Sequence, residues 1–209
     1  MADRRLTVFV SSTVYGIEEL LDQVYALLSG FGYEVWMSHK GTVPVYPNQT
    51  AFECCLLAVQ ECDLFLGIIT PHYGSGVVDG DRSITHQELL EAIRLKKPRW
   101  ILAHDHVSFA RSLLRNLGYK TTAARSKLKL EETPILSDLR VIDMYEAAIL
   151  HDIQVYRDKK GNWVQKFSRD PDAQLFVTAQ FYRYDDVSRF LKDQLGDQNA
   201  IARGIEGES

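Results

Sequence analysis

The sequence predicts an α/β fold, in which helices cover both faces of a central, mostly parallel sheet. Two short runs, over 6–10 and 64–70, are almost wholly apolar, which is typical of strands buried on both faces. Stretches with helical spacing of apolar residues separate such runs, so strands and helices alternate as far as residue 104. This alternation is typical of a parallel sheet with helical crossovers.

The first strand leads into a run of three hydroxyl side chains and then into an amphipathic helix. Leu20, Val24 and Leu28 keep helical spacing along that helix, and two glycines follow it. The predicted elements up to residue 104 are strands over 6–10, 33–37, 64–70 and 99–103, helices over 14–29, 50–61 and 85–96, and loops over 38–49 and 71–83.

The pattern is weaker beyond residue 104. We predict one domain over 1–196, with a core over 5–104, an insertion over about 105–170, and a last strand and helix within 174–195. The finer elements are helices over 108–117, 134–149 and 185–195, a hairpin over 155–167, a strand over 175–181 and a flexible tail over 197–209.

The helix-like stretch over 134–149 carries more apolar surface than one edge contact needs. Ile135, Leu139 and Ile142 lie on it. Because contiguous apolar patches usually meet another chain, we predict a homo-oligomer.

Composition excludes several function classes. The 209 residues carry a net charge of -4, so no overall basic field attracts nucleic acid, and none is expected as a partner. No apolar run is long enough to span a membrane, and the opening MADRR has no apolar signal core, which favours the cytoplasm. Cys54, Cys55 and Cys62 fit reduced core thiols, and no histidine completes a zinc spacing, so no metal is expected.

The candidate site lies where the first and third strands end, because ligands of open α/β sheets bind at the carboxyl ends of strands. Ser11, Ser12 and Thr13 follow the first strand and are candidates to bind phosphate or ribose. The alternative is that Ser12 or Thr13 caps the next helix, and the two roles are compatible. Tyr73 and Gly74 follow the third strand, and they either stack on a base or form a turn packed at the sheet edge.

Glu88 is the one carboxylate predicted in the first turn of the third helix. A carboxylate there can stabilise an oxocarbenium-like centre during N-glycosidic cleavage, or attack C1′. Alternatively, Thr85 and Glu88 form a capping box. His86 is either a general acid or a surface residue, and Arg82 either pairs with a phosphate or is a solvated loop arginine.

Other chemistries lack their motifs. The sequence has no GxGxxG after the first strand, no GxxxxGK[ST], no GxSxG and no HExxH. The basic segment over 120–129 either contacts nucleic acid or forms a solvated face.

Several ordered segments carry a family resemblance. VFVSST opens the domain, LxxxGYxV follows the first helix, and ECDLFLGIIT, HYGSG and SITHQELLEA come later in that order. Together they resemble a TIR-like family described mainly as a domain of unknown function, which is related to TIR domains and nucleoside deoxyribosyltransferases. The resemblance covers residues 5–104 well and weakens thereafter.

The resemblance implies a flavodoxin-like fold and a catalytic role for Glu88. It implies an N-glycosidase that needs no cofactor and serves prokaryotic antiviral defence. The implied substrate is NAD or another nucleotide, which the enzyme hydrolyses or converts into an ADP-ribose-type signal. Members are often fused to NTPases or repeat proteins, and no such part is recognised in this sequence, so a separate sensor or effector protein is a possible partner. The alternative is a non-catalytic module that binds a nucleotide or a partner protein.

Overall fold

The protein, described by a computed structural model, has a five-stranded sheet in the order β2-β1-β3-β4-β5 with every neighbouring pair parallel. The structure describes residues 4–74, 82–131, 133, 135–153 and 159–195, without the side chains of 190 and 192–195. This strand order is that of the flavodoxin-like fold, which confirms the predicted fold class. The strands are β1 Thr7–Ser12, β2 Glu34–Trp36, β3 Leu64–Ile69, β4 Arg99–His104 and β5 Asn162–Phe167.

Helices cover both faces of this sheet. Along β1, Val8 and Val10 pack into one core with α1, α7 and α8, whereas Phe9 packs into the other with α2, α3, α4 and α6. The α-helices in the described residues are α1 Glu18–Gly30, α2 Ala51–Glu61, α3 Ile84–Arg94, α4 Asp105–Asn116, α5 Thr122–Arg125, α6 Arg140–Ala148, α7 Asp170–Phe181 and α8 Tyr184–Leu195.

β3 lies at the centre of the sheet, and all six of its residues are buried. The predicted central strand is therefore confirmed. A side chain at Gly67 would place its Cβ 2.8 Å from Ile101 Cδ1 and 3.1 Å from Phe65 Cε1, so a larger residue here would force these core side chains to move. None of the helices in the described residues has the length and apolarity that a bilayer crossing requires.

The predicted strand over 175–181 is wrong, because this stretch belongs to helix α7. Pro171 stands in its first turn, and the Asp172 carboxylate accepts a hydrogen bond from the Arg169 backbone N–H at 3.2 Å. Ala173, Val177 and Phe181 recur every four residues and are buried, so helical spacing outweighs the local β propensity of the segment.

The last strand of the sheet is instead β5, which pairs in parallel with β4. Trp163 lies opposite Trp100 across this pair, and their rings stack with centroids 4.7 Å apart. The predicted hairpin over 155–167 thus contributes its second half to the parallel sheet, while 154–158 lies outside the described residues. The predicted tail over 197–209 also lies outside them.

The apolar surface predicted to drive self-association is mostly internal. Val141, Ile142 and Ala148 on α6 are fully buried against the sheet, whereas Ile135 is exposed. The surplus of apolar residues therefore belongs to the core of this chain. Self-association stays a prediction, and light scattering during size exclusion tests it.

The basic segment over 120–129 is not uniformly a solvated face. Lys120, Lys127 and Lys129 are exposed, but Arg125 is 1% exposed. Its guanidinium binds Asp143 and Glu146 on α6, which anchors α5 to the helical layer.

Candidate active site

The carboxyl ends of β1 and β3 form the candidate site. The strand order reverses at this pair, since β2 lies outside β1 on one side and β4 follows β3 on the other. In doubly wound sheets such a switch point opens a crevice for ligands. Ser11 and Ser12 end β1 here, opposite Gly67 and Ile68 of β3, so the first two predicted hydroxyls belong to the strand itself.

Glu88 reaches this edge from α3. Ser11 Oγ donates a hydrogen bond of 2.5 Å to Glu88 Oε2, and both residues are buried, at 2% and 4% exposure. The structure therefore brings together the strand hydroxyl and the carboxylate that the sequence predicted as site residues.

The residue at which α3 begins determines whether Glu88 can cap this helix. Ser83 is the N-cap, and its side chain accepts a hydrogen bond from the His86 backbone N–H at 3.4 Å. Glu88 is therefore in the second turn, beyond the reach of a capping box, and the capping alternative for Thr85 and Glu88 is wrong. The carboxylate is left to face β1.

Burial dominates the electrostatics of Glu88. It raises the pKa of this carboxyl from 4.5 to about 7, while hydrogen bonds from Ser11 and Cys55 act in the opposite direction. Burial also raises the pKa of the Cys55 thiol to about 12, so this group stays protonated and donates to Glu88. A carboxyl of this kind exchanges its proton near neutral pH, as general acid–base and nucleophilic chemistry requires.

Ser12 and Thr13 do not cap the first helix. That helix begins at Glu18, and its N-cap Ile17 makes no side-chain capping bond, so the capping alternative for the hydroxyl run is wrong. Ser12 Oγ donates instead to the carbonyls of Ile68 at 3.1 Å and Thr13 at 3.0 Å. It thereby joins the ends of β1 and β3.

Thr13 lies against Gly74 in the segment that follows β3. A Cβ at Gly74 would come within 3.0 Å of Thr13 Oγ1, and the backbone φ of Gly74 is +88°. Both observations require glycine at this position. The structure thus brings these two predicted site residues into contact.

Tyr73 and His86 form a second pair. Tyr73 Oη and His86 Nδ1 are 2.7 Å apart, and the Ser83 backbone N–H donates to Tyr73 Oη at 3.4 Å. His86 is 5% exposed, so its prediction as a surface residue is wrong. Tyr73 is 3% exposed with the Arg140 guanidinium 4.7 Å from its ring centroid. This position fits the packed-turn alternative, and stacking on a base stays a prediction.

The two pairs lie on different sides of α3. Residues two apart on a helix do not share a face, so His86 and Glu88 project in different directions. His86, Tyr73 and the exposed Arg82 line a groove of about 950 Å³, whose described lining does not include Glu88. The predicted site residues therefore divide into a buried cluster around Glu88 and a groove cluster around His86.

Sequence patterns did not identify two of the residues that contact these clusters. Cys55 binds Glu88 from α2, and Arg140 covers Tyr73 from the start of α6. Cys55 follows the apolar pattern of its helix, and Arg140 is far along the chain, so neither carried a local signal. Among the described residues, no three His, Cys, Asp or Glu side chains are grouped to hold a metal.

Comparisons with known proteins identify a family and no activity. The family model described as "Domain of unknown function (DUF4062)" matches residues 7–196. No protein of curated function matches the chain. A solved structure, "Crystal structure of conserved protein from Enterococcus faecalis V583", is similar with a TM-score of 0.43 and 10% identity, covering 85% of this chain and 99% of that one.

Proposed function

The chain belongs to the DUF4062 family of unknown function, and we propose that it is an enzyme that cleaves the N-glycosidic bond of NAD or a related nucleotide. The observation that carries this proposal is the buried Ser11–Glu88 pair at the switch point of the sheet. A carboxyl with a pKa of about 7 is half ionised at neutral pH, so the anionic form needed for the reaction is available.

Glu88 supplies the chemistry. As the bond between C1′ and the base breaks, the base departs with the bonding electrons and positive charge develops on the ribose. The Glu88 carboxylate stabilises that charge while water adds to C1′ and loses a proton, or it bonds to C1′ as a ribosyl ester that water then hydrolyses. Ser11 orients the carboxylate through its hydrogen bond, and Ser12 and Thr13 lie at the same edge, where they would contact ribose or phosphate.

The finer assignments rest on the sequence motifs. The VFVSST opening and the helix that carries Glu88 resemble TIR-like proteins, and on that basis we extend the proposal to a TIR relationship and a role in antiviral defence. A cytoplasmic location and regulation by a separate sensor or effector protein belong to the same extension.

One observation favours a second candidate function. Glu88 is only 4% exposed, and Ser11 and Cys55 satisfy its carboxylate within the chain. A substrate must displace one of these contacts. A non-catalytic module that binds a nucleotide or partner protein needs no such displacement.

A nucleotide panel separates the two candidates. NAD, NADP, nucleoside triphosphates and deoxynucleotides are incubated with the wild type and with Glu88→Gln, and base release is followed by mass spectrometry. Turnover by the wild type that Glu88→Gln abolishes supports the enzyme, with Glu91→Gln on the same helix as the control. Binding without turnover of any nucleotide supports the module.

A further inference from the structure

The groove on the His86 side of α3 has the features of an anion site. We propose that it binds a small phosphate-bearing ligand through His86, Arg82 and Arg140, at a site distinct from the cluster around Glu88. The groove encloses about 950 Å³ between residues of α3, α5 and α6, which is room for a ligand of nucleotide size.

His86 supplies a fixed donor. Tyr73 Oη accepts a hydrogen bond from the Ser83 N–H, and the described residues offer the Tyr73 O–H no acceptor other than His86 Nδ1. We therefore assign this bond with Tyr73 as the donor and His86 Nδ1 as the acceptor. A neutral imidazole then carries its proton on Nε2, and no acceptor for Nε2 is found among the described residues. His86 is nearly fully buried yet lines the groove, so its Nε2–H is a preorganised donor for a ligand.

Two guanidinium groups stand beside this donor. Arg82 is exposed on the groove wall and forms no ion pair within the part of the chain that the structure describes. Arg140 lies over the Tyr73 ring and pairs with Asp138 at 2.6 Å. Of these two guanidinium groups, Arg82 therefore keeps an unbalanced positive charge among the described residues. Guanidinium groups also match the geometry of phosphate oxygens.

The other acidic residues in the described lining of the groove do not offset this charge. Asp143 is ion-paired with Arg125, Glu146 is ion-paired with both Arg125 and Arg111, and Asp152 is matched in number by Lys120. Arg125 also has a buried Nε–H for which the described residues provide no acceptor. Among the described residues, the two groove nitrogens without an acceptor, His86 Nε2 and Arg125 Nε, are both donors, which favours an acceptor-rich anion over a cation.

A bound anion should change the titration of His86. Burial, then Arg82, lowers the pKa of His86 to about 4, with Arg140 acting in the same direction and Asp143 in the opposite one. A phosphate group beside the ring would stabilise the imidazolium, so the pKa of His86 should rise when the ligand binds.

Calorimetric titration with inorganic pyrophosphate tests the site without any glycosidic chemistry. We expect Arg82→Gln and Arg140→Gln each to weaken pyrophosphate binding about tenfold, because each removes a charge-assisted contact. Arg94→Gln changes an exposed arginine of α3 that is absent from the described groove lining, and this variant should bind pyrophosphate like the wild type. The Arg140→Gln variant also removes the ion pair with Asp138. Because Arg82 is exposed, the Arg82→Gln variant should fold normally and tests the site independently.

NMR titration of the His86 ring gives a second readout, with and without pyrophosphate. Adenosine and ADP then distinguish a nucleotide site, which should prefer ADP over pyrophosphate, from a site for the phosphate group alone. No binding at millimolar pyrophosphate, equal binding by all variants, or an unchanged His86 pKa would overturn the site. Glu88→Gln should bind pyrophosphate normally, so loss of the proposed enzymatic function and loss of this site are separable.

Discussion

Ser11 Oγ and Glu88 Oε2 are joined by a 2.5 Å hydrogen bond, although the residues are 77 positions apart in the sequence. The contact ties the end of β1 to the second turn of α3 at the point where the strand order reverses. Glu88 is therefore a buried carboxyl, and its burial and hydrogen bonds determine its pKa.

Glu88 should make stability depend on pH. Its folded-state pKa of about 7 exceeds the ordinary 4.5, so its favourable contribution is complete below about pH 4.5 and is lost as the pH rises through 7. Relative to Glu88→Gln, the wild type should lose roughly 3 kcal/mol of unfolding free energy between pH 4 and pH 8. Urea unfolding of both proteins at several pH values measures this change.

The exposed Glu18→Gln on α1 is the control for that comparison. A stability difference between the wild type and Glu88→Gln that stays constant from pH 4 to pH 8 would show that Glu88 is not a raised-pKa carboxyl.

The hydrogen bond from Cys55 should lower the pKa of Glu88. Its thiol donates to the carboxylate and so favours the charged form, which means that Cys55→Ala should move the pKa of Glu88 further upward. The pH midpoint of the stability change should rise accordingly. Cys54→Ala removes the neighbouring thiol, which lies 3.8 Å from Gln49 Oε1 instead, and should leave the midpoint in place. Identical midpoints in both variants would contradict the Cys55 contact.

Arg125 should be a major contributor to stability. Its side chain is 2% exposed, and it binds Glu146 at 2.7 Å together with Asp143. Arg125→Ala leaves both carboxylates without this cation, and we expect a loss of about 3 kcal/mol in unfolding free energy. Lys127→Ala, an exposed residue of the same segment, should change stability by less than about 0.5 kcal/mol. Equal losses in both variants would be inconsistent with the buried network.

The first four strands and the edge of the sheet at which Glu88 lies were predictable from local patterns, whereas the last strand and the turn of α3 that carries Glu88 were not. β3 is apolar along its whole length, which is typical of a central parallel strand, and it is fully buried. The rule that parallel strands end at one edge also placed Ser11 and Glu88 in one region, where they form a hydrogen bond.

The remaining features depend on distant contacts. Arg125 is buried because its partners stand 18 and 21 residues further on, and no local pattern distinguishes it from the lysines around it. Likewise, Arg140 covers Tyr73 because α6 packs against β3, the strand that Tyr73 follows. Helix α7 was misassigned because its β-branched and aromatic residues hid a four-residue repeat.

The most direct test of the proposed activity is the rate of nicotinamide release from NAD, measured by mass spectrometry for the wild type and Glu88→Gln over a range of pH. We expect the wild-type rate to rise with pH through about 7 as Glu88 ionises, and Glu88→Gln to lose about a thousandfold or more of the rate. A Glu88→Gln protein that releases nicotinamide at the wild-type rate would contradict the catalytic role of Glu88.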